Sequence, residues 1–240
     1  MKFKLAWMYP DLLELYGDSG NVIILKHRCE ELGIELDIDK FTVGDEFEAS
    51  DYDMVFLGGG SDREQSIFYN DLISRRDNLI KAIEDNVVFL IICGGFQLFG
   101  QYYKDGEGKI LDGIGAFNYY TETQPERTTG YIVTEAEIDG EKMTIAGFEN
   151  HAGHTYGVLN GFGRVIKGTG NNSKDDVEGI LYKNVIGTYI HGPLLARNPE
   201  LTDAIIKKMA DRKNYEVKFT DSINRFEEKA KKQVLSEFGL

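Results

Sequence analysis

Two residues in this chain combine a reactive side chain with a setting that suits amide cleavage. Cys93 closes the apolar run of residues 87–92 and is followed by Gly94, Gly95 and the stretch FQLFG. A strand, a tight turn carrying a nucleophile, then a helix is the layout of a nucleophile elbow. The glycines let the backbone turn sharply and approach a ligand. A helix N-terminus beside the sulfur offers free N–H groups and partial positive charge, which favour the reactive thiolate. His191 closes a second apolar run, TYIHGP, and is also followed by glycine. If the two runs are neighbouring parallel strands, both side chains emerge at one sheet edge. The histidine can then take the thiol proton and later protonate a departing amine. The plainer alternatives are a small buried hydrophobe and a strand-end histidine satisfied by hydrogen bonds. For Cys93, the position directly after the strand favours the elbow.

A third element is Gly58-Gly59-Gly60-Ser61-Asp62. It is not a P-loop, since no G-x-x-x-x-G-K-[ST] occurs in the chain. As an oxyanion hole it would aim the N–H groups of Gly59, Gly60 and Gly94 at the developing negative oxygen. One such donor is worth about 3 kcal/mol of barrier. His151 and His154 form an H-x-x-H, but a metal site needs a third ligand and a rigid element. These two are read as loop histidines, and no metal is expected. Cys29 recurs at helical spacing with Val22, Leu25 and Leu32, which predicts a buried core thiol.

Strands are predicted over residues 3–9, 34–38, 54–57 and 87–92. Helices follow the first of these, precede the last around Leu72 to Ile83, and follow Cys93. That alternation predicts an α/β fold with a mainly parallel central sheet flanked by helices, a flavodoxin-like core. The second half reads as β-rich. Strands over 128–138 and 142–148 meet at Asp139-Gly140, and strands over 180–182 and 185–190 flank Lys183-Asn184. A helix over 201–209 and a charged amphipathic tail close the chain. Residues 1–240 are read as one domain, with 211–240 a C-terminal helical extension.

The totals narrow the function. A chain of 240 residues with 42% hydrophobic and 28% charged composition suits a globular protein with a sizeable core. Its net charge of -13 argues against nucleic-acid binding. Two cysteines are too few for a disulfide framework, and no apolar run approaches a membrane span of about 20 residues. A cytoplasmic protein without membrane insertion is expected.

Read together, the pieces resemble class I glutamine amidotransferases of the cobyric-acid-synthase type. The resemblance spans nearly the whole chain. It rests on Tyr9-Pro10-Asp11 with Tyr16-Gly17-Asp18-Ser19-Gly20-Asn21, on the triple-glycine loop with Glu64-Gln65, and on Cys93-Gly94-Gly95-Phe96-Gln97. Phe148-Glu149-Asn150-His151 and His191-Gly192-Pro193 complete it. It implies that Cys93 attacks the side-chain amide of L-glutamine and His191 assists. By the same resemblance Gln97 contacts the glutamine and Arg127 holds its α-carboxylate. Two positions depart from the wider class: Ile91 stands at the first glycine of its G-x-C-x-G, and Pro193 replaces a glutamate two residues after the histidine. The acid that orients His191 is left to Asp18, Glu149 or a partner subunit, with the partner preferred. The chain itself would need no cofactor. ATP and Mg are expected on a Mur-ligase-like synthetase subunit that uses the ammonia to amidate D-glutamate of lipid II. A corrinoid-type amidation and a non-catalytic scaffold are the alternatives.

Overall fold

The apolar runs that end at the triple glycine and at Cys93 become strands buried on both faces, as the centre of a parallel sheet requires. The structure, a computed structural model, describes residues 1–219 and 225–240. It begins with β1 (Lys2–Met8), α1 (Ser19–Glu31), β2 (Glu35–Phe41) and β3 (Met54–Leu57). Helices α2 (Asp62–Ser74) and α3 (Arg76–Glu84), strand β4 (Val88–Ile92) and helix α4 (Gly94–Leu98) complete the first half. Every residue of β3 and β4 is buried. The second half runs β5 (Tyr102–Lys104), β6 (Ile110–Asp112), β7 (Tyr120–Ile138), β8 (Glu141–Tyr156), β9 (Gly163–Lys167) and β10 (Val177–Glu178). It ends with β11 (Ile180–Tyr182), β12 (Val185–Thr188), β13 (Ile190–His191), α5 (Leu194–Arg197), α6 (Pro199–Arg212) and α7 (Arg225–Glu237).

Two sheets result. The first has the order β11-β12-β4-β3-β1-β2, parallel throughout except for the β11–β12 hairpin. From β2 to β12 this is the doubly wound order whose ligands lie outside the carboxyl ends of the strands. The second sheet is mostly antiparallel and is dominated by the long β7–β8 hairpin. Phe3, Phe56 and Phe89 of the first sheet share one hydrophobic cluster with Ile132, Ile145 and Ile190 of the second. Each such side chain contributes about 1.5–3 kcal/mol by burial. Cys29 sits inside this cluster, and burial pushes its thiol up to about 12.

Several elements differ from their sequence outlines, each for a visible reason. The helix expected around residues 72–83 is two helices. They part at Arg75, whose guanidinium is held by Asp71 and the Asp45 carbonyl. The helix after Cys93 is only five residues long. The hairpin strands reach back to Tyr120 and on to Tyr156, so His151 and His154 lie on a strand rather than in a loop. The strand expected over 185–190 breaks after Thr188, and the chain passes to the second sheet, where β13 pairs with β8. Glu178 makes that break. Its buried Oε1 accepts from the Thr188 hydroxyl at 2.5 Å and the Tyr189 N–H at 2.8 Å. The Thr188 hydroxyl oxygen in turn accepts the Ile190 N–H at 2.9 Å. In the C-terminal extension, α7 lays Val234 against Val133 and Ala146, and Lys231 pairs with Glu200 at 2.9 Å. Residues 220–224 of that extension lie outside the described residues.

Candidate active site

Cys93 stands between β4 and α4 with φ 49° and ψ -104°. A positive φ is costly for a residue with a side chain, and such strain gathers at functional sites. Its N–H bonds the Thr188 carbonyl at 2.8 Å, which ties the elbow to the neighbouring strand. Ile91 does not prevent the turn, because its register partner on β12 is Gly187, which leaves room for the side chain. Gly94 is needed for close approach. A methyl there would sit 2.7 Å from Gln65 Nε2 and 3.1 Å from the Gly60 carbonyl oxygen.

His191 arrives from the second sheet. Its ring is buried, and Nδ1 lies 3.2 Å from Asp18 Oδ1, which is also shut off from water. The other oxygen of Asp18 accepts the Gly59 N–H at 2.7 Å. A methyl group on Gly59 would stand 2.8 Å from His191 Cε1, 3.2 Å from Asp18 Oδ2 and 3.2 Å from Cys93 Cβ. The side chains of Cys93, His191 and Asp18 thus converge on one glycine. Burial opposes charge on the His191 ring. The hydrogen bond to Asp18 and the nearby Cys93 outweigh it and hold the imidazolium up to about 10.

Packing explains how Asp18 reaches the histidine. Gly20 leaves room for Pro193, since a methyl would meet Pro193 Cγ at 2.2 Å. Asn21 accepts the Leu195 N–H at 2.8 Å and so joins the start of α1 to α5. Pro193, which replaces the usual glutamate, therefore docks the element that brings an aspartate instead. The other in-chain acid is occupied elsewhere: Glu149 accepts the N–H groups of Thr169 and Gly170 at 2.8 and 2.9 Å.

The expected oxyanion set needs one correction. The Gly59 N–H is spent on Asp18, so it is not free to meet an oxyanion. Gly94 opens α4, where first-turn N–H groups have no helical partner. Among the described residues no backbone hydrogen bond engages the N–H of Gly60 or Gly94.

A pocket of about 260 Å³ opens beside the elbow and is lined by Cys93, Gly60, Gln65, Gln97, Arg127 and His151, among others. Arg127 is exposed and sits where the β7–β8 register slips between Thr123 and Thr128, a bulge that re-aims its side chain. Its guanidinium bonds Asn150 through both the side chain and, at 3.2 Å, the main-chain carbonyl, and it reaches the Tyr16 hydroxyl at 3.4 Å. Gln97 is buried in the wall. Its amide oxygen accepts from Gln65 at 3.1 Å and its amide nitrogen donates to Tyr189 at 3.3 Å. One lone pair and one hydrogen of that amide remain for a ligand. No group of three or more metal-ligating side chains occurs among the described residues. A larger hollow of about 780 Å³ lies between the β7–β8 tip, α6 and α7, away from Cys93 and His191.

Sequence reasoning gave no role to Gln65 or Tyr189, while the Phe148-Glu149-Asn150-His151 match implied a place near the active-site rim for His151. Gln65 lies one turn into α2, signalled by its place beside the glycine loop and by its part in the family resemblance. Tyr189 precedes Ile190-His191 and could have been found by asking what supports the histidine. His151 was read as a loop histidine, and the structure puts it on β8 instead.

A thiol on a strained elbow at the carboxyl edge of a doubly wound sheet, facing a buried His–Asp pair, defines the glutamine amidotransferase class of fold. A glutamine amidotransferase from Thermotoga maritima has the same fold. It covers 98% of this chain and 94% of its own at a TM-score of 0.54, with 15% identity. The chain belongs to the CobB/CobQ-like glutamine amidotransferase domain family, whose pattern matches residues 4–199. It is 41% identical to the Staphylococcus aureus lipid II isoglutaminyl synthase (glutamine-hydrolyzing) subunit GatD, over 94% of this chain and 91% of that one. The subunit of the same name from Streptococcus pneumoniae is 39% identical over 85% of this chain and 79% of its own. A cobyric acid synthase from Thermodesulfovibrio yellowstonii matches only 48% of this chain, and 24% of its own, at 36% identity.

Proposed function

We propose that this chain is the glutaminase subunit of a lipid II isoglutaminyl synthase. The convergence of Cys93, His191 and Asp18 on Gly59 carries the chemistry. The 41% identity over nearly the full length of a subunit with that name carries the substrate and the assembly.

His191, oriented by Asp18, already holds the proton beside the Cys93 sulfur, which adds to the carboxamide carbon of L-glutamine. The oxyanion accepts hydrogen bonds from the N–H groups of Gly60 and Gly94, each worth about 3 kcal/mol. His191 then gives its proton to the departing nitrogen, the C–N bond breaks, and ammonia leaves a γ-glutamyl thioester. Water, deprotonated by His191, adds to the thioester. The C–S bond breaks, glutamate departs and the sulfur is left beside the protonated His191, as at the start. Arg127 binds the α-carboxylate, for which its planar guanidinium is suited, and Gln97 lines the substrate's other side. Asp18 supplies from within the chain the acid that a partner was expected to bring.

Ammonia passes to a Mur-ligase-like synthetase subunit that holds ATP and Mg and amidates D-glutamate of lipid II. No described helix is long and apolar enough to cross a membrane, and we place the reaction in the cytoplasm. The test is isotope transfer. The complex purified through this chain, given ATP, lipid II and amide-labelled glutamine, is expected to move the label into the D-glutamate of lipid II. Label that stays in free ammonia under these conditions contradicts the proposed acceptor.

A further inference from the structure

Gln65 belongs to the wall of the pocket that holds Cys93, yet its side chain is buried and no step above uses it. It lies one turn into α2, where its N–H bonds the Ser61 carbonyl at 2.9 Å. The side chain crosses from α2 to the elbow. Nε2 lies 3.4 Å from the Gly60 carbonyl oxygen and 3.1 Å from Gln97 Oε1. A carbonyl only accepts, so the atom facing Gly60 is the nitrogen, and the orientation of the amide follows. The same amide lies against Gly94, where a methyl would stand 2.7 Å from Nε2 and 3.3 Å from Cδ. One side chain therefore lies between the triple-glycine loop and the first turn of α4.

From Gly59 to Ser61 the backbone is held at every polar group but one. The Gly59 N–H goes to Asp18 at 2.7 Å, and the Gly59 carbonyl accepts the Leu15 N–H at 3.0 Å. Gln65 takes the Gly60 carbonyl through its side chain and the Ser61 carbonyl through its main chain. The Ser61 N–H bonds the Glu64 carboxylate at 3.0 Å. Within this loop only the Gly60 N–H has no partner among the described residues. Gln65 Oε1 is also buried without a hydrogen bond. A buried acceptor without a donor is costly, and the fold keeps one here for the sake of the two bonds made by the nitrogen.

We propose that Gln65 is a positioning residue for the oxyanion hole: its amide sets the spacing between the Gly60 loop and the start of α4, so that the N–H groups of Gly60 and Gly94 point at one oxygen. The inference rests on the glutaminase reading above. The nitrogen of Gln65 is engaged by Gly60 and Gln97, so it acts through the backbone beside it rather than on the substrate. Donors held in place before charge develops need no reorganisation when the sulfur adds.

The test separates the oxyanion step from substrate binding and from thiol reactivity. Gln65→Met in the purified complex keeps an unbranched side chain of similar length but donates no hydrogen bond. Its kcat for glutamine hydrolysis is expected to fall by about 10–100-fold, part of what the loss of a whole oxyanion donor costs. Glutamine affinity, measured by calorimetry in a Cys93→Ala background, is expected to change by less than about threefold. Alkylation by iodoacetamide needs the thiolate but no oxyanion hole. Its rate, followed at the Cys93 peptide, is expected to stay within about threefold of the wild type. Gln65→Asn, whose amide is one methylene too short to reach across, is expected to show the same pattern, and urea unfolding shows which variant is folded. An undiminished kcat in a folded variant overturns the assignment. So does a loss of affinity or of alkylation rate as large as the loss of kcat, which places the work of the amide on Gln97 or on the thiol. A check with native Gln65 uses complex whose Cys93 has reacted with 6-diazo-5-oxo-L-norleucine, which loses N2 and leaves a ketone joined to the sulfur through one methylene. The Gly60 and Gly94 N–H resonances are expected to move and the Gln65 side-chain resonance to stay. Unmoved glycines, or a Gln65 shift as large as theirs, overturn the assignment. Wild-type complex that releases no ammonia from glutamine overturns the glutaminase reading itself, whereas wild-type release with an unchanged Gln65→Met overturns this inference alone.

Discussion

Asp18 and His191 face each other at 3.2 Å with both side chains closed to solvent, and the second carboxylate oxygen of Asp18 grips the Gly59 N–H at 2.7 Å. One carboxylate therefore orients the His191 ring and fixes the glycine loop that borders Cys93. Asp18→Asn keeps the shape but weakens both functions. It is expected to lower kcat for glutamine hydrolysis by about 10²–10⁴-fold, the usual worth of positioned acid–base catalysis, with a smaller effect on KM. Steady-state ammonia release checks this.

The same pair has a pH signature in stability. His191 holds its proton up to about 10, above the ordinary histidine value. A raised folded pKa means the pair's contribution is complete below about pH 6.5 and fades as pH rises through about 10. Thermal unfolding of the wild type is expected to lose stability across pH 7–10, and Asp18→Asn to show a flatter profile over that range. Matching slopes would remove Asp18 as the cause.

Gly59 tolerates no side chain. A methyl would press on the His191 ring at 2.8 Å and on Cys93 Cβ at 3.2 Å. Gly59→Ala is expected to destabilise the fold by about 1–3 kcal/mol through overpacking and to reduce glutamine hydrolysis by a larger factor than its stability loss explains. Denaturant titration alongside kinetics separates the two effects.

Glu178 is buried and does not line the pocket that holds Cys93, yet it sets the bend that carries the chain from β12 to His191. Burial pushes its carboxyl up to about 7. Its folded pKa lies above the unfolded value, so its contribution is complete below about pH 4.5 and is lost as pH rises through about 7. Glu178→Gln keeps an acceptor for Thr188 and Tyr189 without a charge to ionise. Thermal unfolding between pH 5 and 8 is expected to fall with pH in the wild type and to fall less in the variant.

Arg127 is already oriented by Asn150 and Tyr16 before any ligand binds. Arg127→Lys keeps the charge but not the planar fork. It is expected to raise the glutamine KM about tenfold or more, with a smaller change in kcat. Asn150→Ala, which frees the guanidinium, is expected to give a weaker version of the same effect.

The sequence shows the sheet because β3 and β4 are unbroken apolar runs and the glycines mark the turns at their carboxyl ends. Cys93 was legible for that reason, and Arg127 and Gln97 only through family resemblance. What it could not show depends on contacts between distant segments. The β12–β13 break hangs on Glu178, a single buried carboxylate with no pattern around it. The pairing of Asp18 with His191 depends on Gly20 packing against Pro193, across 173 positions of chain, and the apolar periodicity carries no trace of it. The Gly59 N–H looks like an oxyanion donor until Asp18 is seen to occupy it. His151 was assigned to a loop because the hairpin's glycines and polar residues hide the length of β8.

The most direct test follows the fate of the Cys93 sulfur. The purified complex is mixed rapidly with L-glutamine, quenched in acid and digested, and the Cys93 peptide is weighed while ammonia is counted. The account predicts a transient γ-glutamyl adduct on Cys93 in step with ammonia release, and neither signal in Cys93→Ala. Ammonia release that persists in folded Cys93→Ala would contradict it.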